Sequence, residues 1–111
     1  MKESQVIAAL SSLSHQSRLR IVRKLIVVGD DGLTAGVIGE SIKAAPSKVS
    51  FHLSALEQAG LVSATRVSRN IVYRANYKRM GQLMNYLLTD CCGGDTRILS
   101  CCSPLSDSDC C

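Results

Sequence analysis

The side chains with the most distinctive chemistry in this sequence are six cysteines, all of which lie in the last 22 of its 111 residues. They form three adjacent pairs: Cys91-Cys92, Cys101-Cys102 and Cys110-Cys111. Thiolates select soft, thiophilic ions, and trivalent arsenic or antimony takes three sulfurs in a pyramid. Zinc takes four ligands, usually from CxxC units, so adjacent pairs suit it less well. The pattern therefore predicts a soft-ion site for which three of the six thiolates are sufficient.

The first pair constrains the backbone that would carry such a site. Residues i and i+1 do not face each other on a helix, so one ion can take both Cys91 and Cys92 only where the chain leaves helical geometry. Gly93-Gly94 permits that change at low cost. We therefore hypothesise that ion binding remodels the end of the preceding helix and draws in the residues that follow it.

The charges around this pair do not activate its thiols in advance. Asp90 and Asp95 disfavour the thiolate form, as does a helix C-terminus, and only Arg97 favours it. The bound ion itself must then drive the loss of the thiol protons. This argues against a hyper-reactive oxidant sensor.

Charge divides the chain at the same place. Residues 1–89 carry 12 basic and 5 acidic side chains, a net charge of +7, whereas residues 90–111 carry 1 and 4, a net charge of −3. A basic body of this size suggests an anionic partner, and nucleic acid is the first candidate. An enzyme is improbable, because no paired carboxylates, nucleophile–base set or phosphate loop is present.

The location follows from the same composition. The longest apolar run, Leu25-Ile26-Val27-Val28, is far shorter than the ~20 residues of a membrane span. The N-terminus has no signal-peptide pattern, so we expect a cytoplasmic protein with reduced thiols and no membrane partner.

Hydrophobic periodicity predicts one domain of helices and a hairpin. The helices are expected at residues 3–13, 15–28 (capped by Ser14), 34–43, 47–59 and 78–90, and the strands at 61–67 and 71–77. This order, α-α-α-α-β-β-α, is mainly α with a β-hairpin wing, a winged helix-turn-helix. We expect residues 1–90 to form the DNA-binding and dimerisation domain and residues 91–111 to be a mostly flexible, cysteine-rich tail.

The second helix of the helix-turn-helix is the predicted recognition helix. Its outer face and the wing supply the candidate DNA-binding residues, which are Ser47, Lys48, Ser50, Phe51, His52, Ser54, Arg66, Arg69 and Asn70. The alternative is a solvated helix face and a solubilising wing charge. Phe51 could equally pack inward beside the turn or touch a thymine methyl group. Arg18 and Arg20, on an earlier helix, have no clear role.

Residues 46–62, PSKVSFHLSALEQAGLV, resemble the recognition helix of the ArsR/SmtB family of metal-sensing winged-helix repressors. The stretches LSHQSRLRIVRKL (13–25) and IVYRAN (71–76) resemble the family's second helix and second wing strand, and the resemblance covers about residues 4–90. It implies a homodimeric repressor that pairs through its first and last helices. It also implies that an inducer releases the dimer from a palindromic, double-stranded operator.

The family resemblance also bears on the inducer. The helix at 34–43 has no cysteine and the last helix no histidine, so two of the family's known metal sites are absent. The segment DCCGGDTRILSCC (90–102) resembles the arsenic-responsive branch, which implies arsenite, with antimonite possible, bound by Cys91, Cys92 and one of Cys101 or Cys102. Eight residues separate the two pairs, a longer gap than that branch leads us to expect.

The leading interpretation is thus a transcriptional repressor of an arsenic-resistance operon. One alternative keeps the fold but senses methylarsenite, thiol redox state, persulfide or another soft metal. A second alternative is a metal-buffering protein whose basic body is only a scaffold. Cys110-Cys111 is interpreted as a spare pair or a dispensable terminus.

Overall fold

The computed structural model describes residues 1–91 and 93–102, with the side chains of Cys91, Cys101 and Cys102 outside the description. Its elements are α1 (Glu3–Leu13), α2 (Gln16–Val28), β1 (Leu33–Thr34), α3 (Ala35–Ile42), α4 (Pro46–Gln58), β2 (Val62–Val67), β3 (Asn70–Ala75), α5 (Tyr77–Asn85), a π-helical turn (Tyr86–Cys91) and α6 (Thr96–Cys102). A single 3₁₀ turn, Gly29–Asp31, follows α2. The predicted winged helix-turn-helix, mainly helical with a hairpin wing, is confirmed.

The helix boundaries follow from local capping. Thr34 caps α3, as predicted, by accepting a hydrogen bond from the Val37 backbone N–H. Pro46 occupies the first turn of α4, and Gly60, at φ 81°, follows its end in the left-handed region. The predicted cap of α2 is wrong: His15, rather than Ser14, caps it, because the His15 Nδ1 accepts the Ser17 N–H at 3.1 Å.

The wing is a tight antiparallel hairpin. Val62 pairs with Ala75 and Val67 with Asn70, so only two residues, Ser68 and Arg69, form the turn, and Asn70 lies in the strand rather than in the predicted loop. The sequence also missed β1, in which Leu33 pairs with Tyr73. A strand of two residues is too short to show an alternation of apolar and polar side chains. The three strands form one sheet in the order β1-β3-β2.

The core lies where α1, α2, α3, α4 and α5 meet the base of the wing. Its fully buried large side chains are Ile21, Leu25, Ile38, Leu53, Leu56, Leu61, Leu83, Val22 and Val49. All nine lie on the apolar stripes or strand positions that the periodicity predicts. Burial of each such side chain stabilises the fold by about 1.5–3 kcal/mol, and core packing fixes the azimuths of α1 to α5.

Hydrogen bonds tie the wing and α5 to the helices. Asn76 caps α5 by accepting the Arg79 N–H, and its Nδ2 donates to the Gly60 carbonyl at 2.9 Å. The Tyr77 hydroxyl donates to the Ile26 carbonyl at 3.2 Å. The end of α4, the start of α5 and the end of α2 are therefore held to one another.

The C-terminal part differs from the prediction. The last helix is α-helical only to Asn85 and continues as a π-helical turn to Cys91, where a regular helix to Asp90 was expected. Gly93 and Gly94 then take positive φ values of 64° and 70°. Residues 96–102, which were expected to lack regular structure, form α6; its first turn is closed by the Asp95 carbonyl, which accepts from the Ile98 and Leu99 N–H groups. Among the described residues, no helix has the length and apolarity to cross a membrane.

Candidate nucleic-acid interface

Helix α4 is oriented by the side chains that it buries. Val49, Leu53 and Leu56 are at most 1% exposed and face the core, where α4 contacts α1, α2, α3 and β2. The opposite face of α4 is therefore turned to solvent. Five of the six predicted recognition-helix residues lie on this exposed face: Ser47, Lys48, Ser50, Phe51 and Ser54.

His52 is the exception. The prediction that it lies on the outer face of α4 is wrong. The side chain is only 7% exposed, because it lies over the N-terminal part of α2. The Arg18 Nε–H donates to the His52 Nδ1 at 3.2 Å, and the His15 ring centroid is 4.6 Å from that of His52. His52 is thus a connector between α2 and α4 rather than an exposed contact residue.

Of the two placements expected for Phe51, the structure shows the exposed one: the ring does not pack inward beside the turn. Its side chain is 64% exposed, and its ring stands edge-on to that of His52, with centroids 5.7 Å apart. The Arg18 guanidinium carbon lies 5.5 Å from the Phe51 centroid, within the range of a cation–π contact. An apolar ring flanked by a cation is thus presented on the surface that the recognition-helix prediction assigns to DNA.

Arg18, which the sequence left unassigned, contacts two of the candidate DNA-binding residues. Its spacing could have placed it, because Ile21 and Val22 follow three and four residues later and are buried. On an α-helix such positions share one face, so Arg18 had to lie on the core side of α2, toward α4. A hydrogen bond to His52 and a ring contact to Phe51 make it part of the recognition surface.

The three wing candidates are all exposed. Arg69 lies at the two-residue turn, Asn70 begins β3, and Arg66 donates from Nε to the Ser68 carbonyl at 3.4 Å. That contact turns the Arg66 side chain along the hairpin tip, so two guanidinium groups lie at the same end of the wing. An exposed basic tip of this kind suits contact with phosphates.

The predicted metal ligands lie at the limit of what the structure describes. The backbones of Cys91, Cys101 and Cys102 are placed, at the end of the π-helical turn and in the last turn of α6. Their side chains, and all of Cys92 and of Cys110-Cys111, lie outside the described residues. Among the residues described with their side chains, no three His, Cys, Asp or Glu groups come together to hold a metal ion.

Arg97 does not serve the thiols in the way the sequence suggested. Its guanidinium forms two hydrogen bonds with the Asp95 carboxylate, at 2.9 and 3.1 Å. The hydrogen bonds from Arg97 lower the pKa of Asp95, and the pair is exposed to solvent. Arg97, the cation expected from the sequence to favour the thiolates, is therefore paired with a carboxylate.

Apolar side chains remain exposed on the two helices that were predicted to form a dimer. On α1, Ile7 is 58% and Leu10 is 41% exposed, and on α5 Met84 is 45% exposed. Leu87 and Leu88, in the π-helical turn, are half-buried. Leu10 and Met84 lie on the predicted apolar stripes and Ile7 lies beside the first of them, so both helices carry apolar surface that their own chain does not cover.

Comparisons with known proteins agree with this geometry. Residues 13–63 match the helix-turn-helix domain family. A relative in Bacillus subtilis, the uncharacterized HTH-type transcriptional regulator YceK, is 38% identical over 58 residues, which are 52% of this chain and 57% of that protein. The chain thus spans little more than half the length of this relative.

Three solved structures share the fold. An ArsR-like transcriptional regulator from Rhodococcus sp. RHA1 has a TM-score of 0.73 at 22% identity, covering 94% of this chain and 95% of its own. The homodimeric winged helix-turn-helix domain of a possible ArsR-family regulator from Mycobacterium bovis has a TM-score of 0.64 at 23% identity, covering 78% and 79%. A possible transcriptional regulator for arsenical resistance has a TM-score of 0.65 at 28% identity, covering 83% and 93%.

These likenesses are to transcriptional regulators and not to enzymes, as the sequence predicted. They support the ArsR/SmtB resemblance at the level of a winged helix-turn-helix regulator.

The His52 contact makes the α2–α4 junction sensitive to pH. Burial, together with the neighbouring His15, Arg18 and Lys48, lowers the pKa of His52. The unfolded chain, with a histidine pKa of about 6.5, therefore binds the proton more readily, so this contribution to stability is complete above about pH 6.5 and is lost as the pH falls through the folded-state pKa. We expect His52→Gln, which keeps a hydrogen-bond acceptor but does not titrate, to remove that loss.

The measurement is urea unfolding of both proteins between about pH 7.5 and pH 5. Other titrating groups are common to both chains, so the difference in unfolding free energy isolates His52. This difference should shift in favour of the variant on acidification. A difference that stays constant across the range would contradict the assignment.

Proposed function

We propose that this winged helix-turn-helix chain is a DNA-binding transcriptional repressor of the ArsR/SmtB type, which binds operator DNA as a homodimer and is released by trivalent arsenic. The observation that carries the proposal is the exposed face of α4, where small hydroxyls, Lys48 and Phe51 stand clear of the core beside an Arg-tipped wing. Small hydroxyl side chains let a helix approach base edges and phosphates closely.

The dimer is proposed through α1 and α5. Ile7, Leu10 and Met84 supply exposed apolar surface on these two helices. A two-fold dimer would present two recognition helices about one turn of DNA apart, so the operator should be palindromic. The homodimeric state of the structurally similar Mycobacterium bovis domain supports this arrangement.

Phe51 is the first residue to test on DNA. Its exposed ring suits contact with the C5-methyl group of a thymine in the major groove. Replacing the contacted thymine by uracil should weaken binding about fourfold per half-site, the effect of losing one buried methyl group. Phe51→Ala should bind both operators alike.

The assay is a gel shift with DNA from upstream of the gene, in which each thymine is replaced in turn. Leu19→Ala is the matched control, because Leu19 is 48% exposed on α2 and lies outside the α4 face. Equal uracil sensitivity in wild type and Phe51→Ala would reject the contact. Failure of the wild-type protein to shift its upstream DNA would instead reject the repressor and favour the metal-buffering alternative.

The inducer site is proposed at Cys91, Cys92 and one of Cys101 or Cys102. The donor set fits the ion, because trivalent arsenic and antimony take three thiolates and these residues supply two adjacent cysteine pairs. The likeness to a possible regulator for arsenical resistance supports the same inducer. Arsenite would cross-link the end of the α5 segment to the residues around α6.

Release of operator by an inducer should require the thiols of the proposed site. Arsenite and antimonite are expected to release operator from the wild-type protein, whereas Cys91→Ser and Cys92→Ser should stay bound. Of Cys101→Ser and Cys102→Ser, we expect one to lose the response. The measurement is operator release against arsenite, antimonite, zinc, cadmium, copper(I) and peroxide.

The control is the double variant Cys110→Ser/Cys111→Ser, which should respond as wild type does. Release by zinc with no release by arsenite would show that the inducer assignment is wrong. Release by methylarsenite from a variant with only one cysteine pair would favour the methylarsenite alternative, since that ligand needs two thiolates.

The π-helical turn is where binding is expected to act. The backbone already departs from α-helical geometry at Tyr86–Cys91, a turn that ends at the first cysteine of the pair, and π-turns of this kind are frequent at functional sites. Arsenite should therefore change the hydrogen-exchange protection of residues 85–95 in the wild-type protein. Cys91→Ser should show no change, and unchanged protection in the wild type would contradict the remodelling of this helix end.

A further inference from the structure

A concavity on the outer side of α2 gathers four positive charges. Arg20, Arg23 and Lys24 line it from α2, and Ser41 and Lys43 line it from the end of α3; its volume is about 470 Å³. All five side chains are exposed, and the concavity has no acidic lining residue. Nothing in the recognition helix or the wing accounts for this cluster.

The four cations are not neutralised within the part of the chain that the structure describes. The ion pair found there joins Arg97 to Asp95, which lie on the far C-terminal segment. Neither hydrogen bonds nor ion pairs connect the four cations to a described carboxylate. Like charges held side by side raise the free energy of the free protein, so an anion bound among them would be favoured by each of the four.

The position of Lys43 connects this concavity to the recognition helix. Lys43 ends α3 in the left-handed conformation, at φ 57°, and so projects from the turn of the helix-turn-helix. It lines both the basic concavity and a second groove, which runs along Pro46 and Ser50 of α4. The basic concavity therefore begins where the N-terminal end of the recognition helix begins.

We propose that Arg20, Arg23, Lys24 and Lys43 form a second DNA contact surface, which binds the phosphate backbone that flanks the groove entered by α4. This inference rests on the proposed DNA binding and extends it to a surface of α2 and the α3–α4 turn, outside the recognition helix and the wing. The four side chains lie on α2 and at the end of α3, outside the recognition helix and the wing that are expected to enter the grooves. They bind charge, so they add affinity for any sequence rather than choice among sequences.

The experiment compares two lysines of the same type. Lys24→Gln removes a cation of the concavity, and Lys78→Gln removes an exposed cation in the first turn of α5, which lines a separate concavity with Asn76, Arg79 and Gln82. Operator affinity is measured by fluorescence anisotropy over a series of salt concentrations, on the upstream DNA and on an unrelated duplex. Arg20→Gln/Arg23→Gln is measured alongside, with the thermal unfolding of every variant recorded.

Each lost phosphate contact should lower the slope of log affinity against log salt by about one and weaken binding about five- to tenfold. The loss should be equal for the operator and the unrelated duplex. Lys78→Gln should match wild type in both slope and affinity. Hydroxyl-radical footprints of the double variant should lose protection at the outer edges and keep it at the centre.

Three results would overturn the inference. The first is an unchanged salt slope in both Lys24→Gln and the double variant, while the wild type binds its operator. The second is a loss confined to the operator, which would assign base reading to these residues. The third is saturable binding of inorganic phosphate or a nucleotide to the free protein that the double variant abolishes without any change in DNA affinity, which would identify a small-anion site. Failure of the wild-type chain to bind upstream DNA tests the proposed function instead.

Discussion

Burial of one face of α4 is the constraint on which the rest of the interface depends. Val49, Leu53 and Leu56 have almost no exposed surface, and rotating α4 to expose any of them would cost about 1.5–3 kcal/mol per side chain. Because the three apolar positions fix the helix azimuth, they also decide which side chains face outward. Core packing therefore determines the outward face. It is sufficient to expose the hydroxyls, Lys48 and Phe51, and no further contact is needed to orient them.

His52 shows where the same reasoning reaches its limit. The sequence-based prediction placed His52 on the outer face of α4, although it lies three residues after Val49 and one before Leu53 and so borders the buried stripe. The side on which such a residue is buried depends on its neighbours on other helices. Arg18 offers a donor and His15 a ring, so the imidazole turns inward to α2. Sequence periodicity could predict every fully buried aliphatic residue, because the burial of each depends only on its position on the apolar face of its own helix or strand. It could not predict a contact that needs the relative placement of α2 and α4.

The C-terminal segment was less predictable for a related reason. Regular α-helix and a break at Gly93-Gly94 are what composition indicates, but a π-helical turn depends on how Tyr86 and Leu87 pack against the core. Helix α6 lies mostly at the surface, with Ile98 and Leu99 about 40% exposed, and its start depends on the Asp95 carboxylate, which accepts the Arg97 N–H. Side-chain capping of this kind adds stability to a helix that buries little apolar area.

The route between the cysteines and the DNA surface can be traced through described contacts. The π-helical turn continues α5, α5 is capped by Asn76, and the Asn76 side chain donates to the carbonyl of Gly60, which directly follows α4. A substituent at Gly60 would meet the Arg79 guanidinium at 2.9 Å, so the end of α4 and the first turn of α5 are in close contact. A change in the orientation of α5 must then either move the end of α4 or break these bonds. Core packing holds the azimuth of α4 within each chain. In the proposed dimer, an ion that reshaped the end of α5 would therefore act chiefly on how the two chains are set against each other, and thus on the spacing of the two recognition helices.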